Sequence, residues 1–445
     1  MNRKVFIETY GCQMNVADTE VILGILTKEG YTPAEKPEDA GLILVNTCSV
    51  REHAEQRVLG RLGELRRIKR QQPGVLVGLL GCMAERLRGS ALEQEPVIDL
   101  VVGPDEYRKL PELIDRAFEG EKGIAVRLSR VENYEDIVPF RADGVSAWIS
   151  VMRGCDKFCS FCIVPFTRGR ERSRSLDGVV KEVESLSARG FKEVTLLGQN
   201  VNSYSDGKHD FADLLAAAAR VDSTMRIRFT TSHPQDLSGK LISTIASHEN
   251  ICSCIHLPVQ SGSNRILGLM NRTYTREHYL SLVSAIRREI PGVALSTDII
   301  AGFPTETDED HRMTLDLLRE VRFDGAFMFN YSPREGTPSY RMSDDVPAET
   351  KTRRLNEIIS IQKDISLENN RALIGSTVTV LVDGESKRSA DYVMGRTGTN
   401  KIVIFARGSN KPGSCVPVTI HGASPATLFG NLASEFSADR EAMSA

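Results

Sequence analysis

The sequence predicts an α/β protein in three parts: an amino-terminal parallel α/β sheet, a central partial (β/α)6 barrel, and a small carboxyl-terminal antiparallel β-barrel. Two patterns and one break carry that expectation. Strand-like apolar runs alternate with helix-length segments over the first ~120 residues, as βαβ units do. The alternation resumes on a larger scale, with six strand-like runs between Ser146 and Tyr331. After Gly375 it gives way to short strands separated by glycine turns. At 445 residues the chain is too long for one ordinary core. The divisions that these changes suggest are 1–120, 141–372 and 374–438.

In the first part, residues 4–9 read as a strand, and Asp18 is the expected N-cap of a helix that stops at Gly30. A second strand covers 42–46, a long charged helix 52–72 ends at Pro73-Gly74, and further strands cover 75–80 and 97–102. The barrel strands are expected at 146–152, 193–197, 226–230, 251–257, 293–300 and 325–331, with helices such as 176–189, 276–288 and 309–321 between them. Six such units close only part of an eightfold barrel, and functional side chains belong at the strands' carboxyl ends. A helix over 348–370 carries Leu355, Ile358, Ile359 and Ile365 on one stripe, to pack on the barrel. The last part holds strands at 377–382, 392–396, 401–405 and 416–421.

Cysteine spacing carries the chemistry. Cys155, Cys159 and Cys162 stand as CxxxCxxC directly after the first barrel strand. Three thiolates can hold three irons of a cubane 4Fe–4S cluster, whereas a cluster closed on all sides needs four. The remaining iron keeps an open position, the mark of a catalytic rather than a structural metal site. A zinc knuckle or disulfide pair is the alternative, but zinc wants a fourth ligand nearby and the next His downstream is His209. Cys12, Cys48 and Cys82 each fall just past the end of one of the first three strands. In a parallel sheet those ends share one edge, so the three converge on a second, auxiliary cluster; three separately buried structural cysteines are the alternative. Cys252 and Cys254 read as packing residues and Cys415 as structural.

Composition describes an ordinary soluble chain, with a formal charge of −3 and 41% hydrophobic residues. No apolar run approaches the ~20 residues that span a bilayer. Glu8 interrupts the short run Val5-Phe6-Ile7, so no signal-peptide core is expected. Nine cysteines without close pairing fit metal-bound thiolates in a reducing cytoplasm better than a secreted disulfide scaffold. Charge is uneven along the chain. Between Ser376 and Ala423, six basic residues (Lys387, Arg388, Arg396, Lys401, Arg407, Lys411) face three acids, and Arg168, Arg170, Arg172 and Arg174 form a second run. Both are candidate grips on RNA phosphates, against a plain solvated surface as the alternative.

The CxxxCxxC triad resembles the cluster loop of the radical S-adenosylmethionine (SAM) enzymes. That resemblance implies SAM at the barrel rim, where Gln199, Asn200, Ser232, Gln260 and Asp298 are assigned to it, although each type also serves in loops and caps. His233 and His256 near the same rim read as structural. With both triads and the terminal barrel, the whole chain resembles the radical-SAM methylthiotransferases: an amino-terminal methylthiotransferase domain, a radical-SAM core and an RNA-binding TRAM barrel. Thr9-Tyr10-Gly11-Cys12-Gln13-Met14-Asn15, Val164-Pro165-Phe166-Thr167-Arg168-Gly169-Arg170 and His256-Leu257-Pro258-Val259-Gln260-Ser261-Gly262-Ser263 are similar to the branch that modifies tRNA, with Arg170 where many relatives carry an acid. The resemblance implies a methylthio group added to carbon 2 of N6-isopentenyladenosine beside a tRNA anticodon. It further implies two 4Fe–4S clusters, one SAM as methyl donor and one as radical source, and a one-electron donor such as flavodoxin or ferredoxin. The same chemistry on threonylcarbamoyl-adenosine tRNA or a ribosomal protein, and a non-catalytic iron–sulfur RNA-binding protein, are the competing readings.

Overall fold

The fully apolar runs of the first part become inner strands of a parallel sheet. A computed structural model of the chain describes residues 2–49, 52–386 and 389–433. Its amino-terminal sheet comprises β1 (Lys4–Tyr10), β2 (Thr32–Pro33), β3 (Leu42–Thr47), β4 (Leu76–Gly81), β5 (Leu100–Val102) and β6 (Gly123–Ala125). They lie in the order β2-β1-β3-β4-β5-β6, every pair parallel. Every residue of β3 and β4 is buried, because helices cover both faces of a parallel sheet. The two edge strands went unpredicted. β2 is two residues long and contains Pro33, and β6 is three residues long, so neither offers an apolar run to read.

The first helix, Gln13–Lys28, begins at Cys12 rather than at Asp18. Asp18 lies inside it, fully buried, where two arginines from the barrel reach it. The expected capping role is therefore replaced by an internal one.

The barrel contains β7 (Ser146–Ser150), then a two-residue ribbon of β8 (Met152–Arg153) and β9 (Arg172–Ser173), then β10 (Glu193–Leu197), β11 (Arg226–Thr230), β12 (Cys254–His256), β13 (Ala294–Ala301) and β14 (Gly325–Asn330). Two parallel three-stranded sheets, β7-β10-β11 and β12-β13-β14, meet at a bridge between Ile227 and Ile251. Among the described residues no pairing joins β7 to β14, so the barrel is open along one side. β12 is shorter than expected, because Cys254 N turns back onto Cys252 O at 2.8 Å and kinks the chain ahead of it. The helix Ala348–Arg371 buries Ile358 and Ile365 in the barrel core, while Ile359 faces outward.

The carboxyl-terminal part is a closed barrel of β15 (Thr377–Ser386), β16 (Ser389–Thr397), β17 (Ile402–Ala406), β18 (Cys415–Ala423) and β19 (Thr427–Leu432). β19 is the unpredicted strand that closes it, running parallel to β17 and antiparallel to β18. This barrel covers the amino ends of the central strands. Arg226 donates to Arg396 O at 2.6 Å, Arg228 to Thr397 O at 2.7 Å, and Lys401 pairs with Asp324 at 2.7 Å. The opposite end, where the rim loops lie, remains uncovered by it. No helix among the described residues is long and apolar enough to cross a membrane.

Candidate metal and cofactor centre

Strand register brings the first cysteine trio together. Tyr10, Thr47 and Gly81 stand in register across β1, β3 and β4, and Cys12, Cys48 and Cys82 follow them at the same sheet edge. Gly11 has φ +135°, and a Cβ there would fall 2.4 Å from the Cys48 Cβ, so only glycine lets the β1 loop close on Cys48. The Cys12 thiol donates to Asn15 Oδ1 at 3.3 Å, and Asn15 is locked to Asn46 by Nδ2 to Oδ1 at 3.2 Å and by Asn46 Nδ2 to Asn15 O at 2.8 Å. The Cys48 contact, against desolvation and aided by the Arg168 charge, brings the Cys12 thiol down to about 6. Cys48 and Cys82 are buried, and none of the nine cysteines, all among the described residues, is joined in a disulfide. Among the described residues no three such side chains converge on one point, as they would around a single ion. Three ligands of a cubane bind three different irons, so their sulfurs stand apart.

The second trio lies on a loop held from both sides. Gly154 (φ +81°) brings the backbone against Arg170, where a Cβ would meet the carbonyl oxygen at 2.0 Å. Cys155 N donates to Gly169 O at 3.1 Å. From the other side, Asn271 donates to Phe158 O at 2.9 Å and Ser160 N to Met270 O at 2.9 Å. Buried Arg272 points Nη1 at Cys159 Sγ, 3.3 Å away, while its Nη2 donates to Pro258 O at 2.7 Å. Burial pushes the Cys155 and Cys162 thiols up to about 12. A bound cation reverses that preference, since the thiolate is the metal-binding form. Arg272 lies more than a hundred residues from the loop, and no local signal pointed to it.

At the rim, three residues assigned to SAM hold buried polar atoms without a partner among the described residues: Gln199 Oε1 and Nε2, Asn200 Oδ1 and Ser232 Oγ. Buried polar atoms are normally paired, so a polar ligand fits these positions. Asn200 Nδ2 is anchored on Asp236 Oδ2 at 2.7 Å, which turns its free oxygen elsewhere. Gln260 is buried with φ +72°, a left-handed backbone rare outside glycine, and its main chain bridges to β13. Asp298 has His256 Nε2 at 3.5 Å, and across the register faces Phe327, which is 54% exposed on the open strand β14.

The basic runs are placed differently from the expectation. Arg168 and Arg172 are buried, paired with Asp18 at 2.7 Å and Asp105 at 2.8 Å; Arg174 is buried on Glu182 at 2.6 Å. These three brace the interior instead of facing RNA, because buried carboxylates on neighbouring elements demand their charge. Arg153, just before Gly154, joins the same network, donating to Asp18 Oδ1 at 2.8 Å and to Pro104 O at 3.0 Å. Burial alone would raise the Asp18 carboxyl, but Arg153 and Arg168 hold it below the usual carboxylate range. A lone acid on the apolar stripe between Met14, Ala17, Val21 and Ile22 was the signal that could have announced this network. Arg170 alone of its run is exposed, stacked over the Phe158 ring at 4.5 Å. In the terminal barrel, Arg396 bonds Asp383 and Glu193 at 2.8 and 2.9 Å, and Lys401 bonds Asp324, so both serve docking. Lys387 and Arg388 lie outside the described residues. Cys415, expected to be structural, is exposed.

Comparison with known proteins follows the same three parts. The model described as "Uncharacterized protein family UPF0004" matches residues 4–103, the Radical SAM superfamily residues 149–318, and the TRAM domain residues 371–433. The chain is 54% identical over 431 residues to the tRNA-2-methylthio-N(6)-dimethylallyladenosine synthase of Chloroherpeton thalassium, covering 96% of each protein. It is 52% identical to the synthase of the same name from Bacteroides thetaiotaomicron (96% of each) and 51% identical to that from Prosthecochloris aestuarii (97% and 98%). The chain belongs to this synthase family. Membership of the radical SAM superfamily implies a 4Fe–4S cluster and SAM, which the CxxxCxxC loop and the unsatisfied rim atoms fit. Among solved structures, the radical SAM methyltransferase TsrM from Kitasatospora setae, with cobalamin and a [4Fe-4S] cluster bound, superimposes with TM-score 0.59 at 19% identity, over 76% of this chain and 77% of that one. The cobalamin-dependent radical enzyme OxsB gives 0.51 at 13% identity, over 81% and 56%. At such identities the likeness is one of fold.

Proposed function

We propose that this synthase-family member adds a methylthio group to carbon 2 of N6-isopentenyladenosine next to the anticodon of tRNA. The observation that carries the reading is the adjacency of two cysteine trios. The helix Val164–Thr167 runs from Cys162 straight to Arg168, whose Nε lies 3.2 Å from Cys82 Sγ. In this reading Cys155, Cys159 and Cys162 hold the radical-generating cluster, and Cys12, Cys48 and Cys82 hold a second one that presents sulfur. The first group, when bound, supplies one-electron cleavage of SAM, which can break an unactivated aromatic C–H bond where acid–base chemistry cannot.

The chain's own residues do the rest. Gln199, Asn200, Ser232, Gln260 and Asp298 bind and orient SAM over the rim. Arg272 holds Cys159, and the Asn15–Asn46 pair holds Cys12. Exposed Arg170 offers its charge to the RNA backbone. The N6 tail reaches apolar Phe327 on the inner wall at the open side. Lys387 and Arg388 remain candidate phosphate contacts, the divisions 1–120, 141–372 and 374–438 belong to the same reading, and flavodoxin or ferredoxin in the cytoplasm supplies electrons.

Burying a five-carbon tail contributes on the order of 2–4 kcal/mol, at ~0.8 kcal/mol per carbon. A threonylcarbamoyl tail would set a second carboxylate beside Asp298, where like charges repel, in place of apolar carbon against Phe327. The test is a side-by-side assay of anticodon stem-loops carrying either modification, with product mass spectrometry. The isopentenylated one is expected to gain the methylthio group. Preferential conversion of the threonylcarbamoyl substrate would overturn the substrate while leaving the reaction type intact.

A further inference from the structure

Arg168 has donors pointing three ways and uses two of them. It is 3% exposed. Nε donates to Cys82 Sγ at 3.2 Å and Nη2 to Asp18 Oδ2 at 2.7 Å, so the planar guanidinium is fixed by two bonds to two different elements. Nη1 is buried and has no partner among the described residues. A buried donor left unpaired is uncommon in a folded protein and asks for an acceptor. The guanidinium also acts electrostatically on Cys12, which puts its charge beside two of the three thiols.

What could satisfy Nη1 is limited by the surroundings. The acceptor must be small, since the position is enclosed, and anionic, since the donor is a cation. It must also tolerate neighbours that are soft sulfurs. Asp18 is already shared with Arg153 at 2.8 Å. We propose that Arg168 is a positioning residue for a small sulfur anion, hydrosulfide or methanethiolate, seated beside Cys12, Cys48 and Cys82, with Nη1 as its hydrogen-bond donor. Arg170, two residues on, is exposed and does not share the role. The inference rests on the reading of that trio as the ligands of an auxiliary cluster. Asp18 then acts at one remove: it holds Arg168, which orients the sulfur.

The test uses full-length, anaerobically reconstituted protein with Cys155, Cys159 and Cys162 replaced by Ala, so that only the amino-terminal cluster contributes a signal. Sodium sulfide and sodium methanethiolate are titrated separately against the electron paramagnetic resonance spectrum and the midpoint potential of the reduced cluster. The comparison is among Arg168, Arg168→Lys, and the charge-balanced double variant Asp18→Asn/Arg168→Met. Both variants are expected to bind the preferred anion ~10-fold or more weakly, as loss of an outer-shell donor does at metal sites. Both should also shift the midpoint potential to lower values, because a hydrogen bond to a ligand sulfur is lost. Tighter binding of one anion over the other identifies which of the two Arg168 serves. Unchanged affinity for both anions and an unchanged potential in both variants would overturn the inference while the cluster assignment stands. No iron at all in the Arg168 parent would overturn the cluster assignment and this inference with it.

Discussion

Replacing Glu193 by Leu should loosen the terminal barrel from the central one. Glu193 opens β10, is fully buried, and answers two arginines: Arg228 Nε at 2.7 Å from β11 and Arg396 at 2.9 Å from the terminal barrel. Removing one partner of a buried ion pair costs about 3–5 kcal/mol, chiefly through the charge left behind. Here the penalty is softened, because Arg228 keeps the Thr397 and Gly398 carbonyls at 2.7 and 3.1 Å and Arg396 keeps Asp383. We therefore expect a loss of about 2–4 kcal/mol. Arg228→Met should cost about 1–3 kcal/mol, since Glu193 retains Arg396. The double variant should lose less than the two singles together, with a coupling of about 1–3 kcal/mol. Urea unfolding followed through the sole tryptophan reads this well, because Trp148 lies on β7 in register with Thr195 of β10. A Glu193→Leu cost under about 1 kcal/mol, or strict additivity of the pair, would refute the reasoning.

Two further outcomes are expected. Anaerobically reconstituted protein should carry about eight irons; replacing Cys155, Cys159 and Cys162 by Ala should leave about half and abolish SAM cleavage, whereas replacing Cys12, Cys48 and Cys82 should leave half and keep cleavage to 5′-deoxyadenosine. Full iron after the amino-terminal replacement would remove the case for a second cluster. Glu85, 1% exposed, is raised to about 7 by burial, opposed by Arg88 and reinforced by Asp105 and Glu106. From about pH 4.5 to 7 the folded state keeps a proton that the unfolded chain releases, so this group's contribution falls as pH rises and is most unfavourable above 7. Glu85→Gln should then raise stability at pH 8 by about 1–3 kcal/mol and change little at pH 4, checked by thermal unfolding across pH. An equal effect at both pH values would contradict the assignment.

What could be read from the sequence was local. The cysteine spacing at 155–162, the placement of Cys12, Cys48 and Cys82 after strands, and the barrel strands 193–197 and 226–230 depend on neighbours along the chain. What escaped depends on residues far apart. The arginine run from 168 to 174 looks like a phosphate grip until Asp18, Asp105 and Glu182 are brought against it by tertiary packing. Arg396 and Lys401 look free until Glu193 and Asp324 meet them. A charge count cannot distinguish a solvated arginine from a buried, paired one. β6 and β19 were missed for a related reason: a three-residue edge strand and a closing strand with Gly430 in it owe their existence to the partner they pair with.

The Asp18 network also dictates an order of events during synthesis. The carboxylate leaves the ribosome 135 residues before Arg153 and 150 before Arg168. At about 5–20 residues per second, that is a delay of roughly 7–30 s. Throughout that interval the helix carrying Cys12 at its start has an acid destined for the interior and neither of the cations that make its burial tolerable. The amino-terminal sheet is thus built to wait. Its cysteine pocket reaches its final form only once the segment downstream of Cys162 has been made, so in the function proposed above, loading of the first-made trio would be tied to completion of the loop that carries the second.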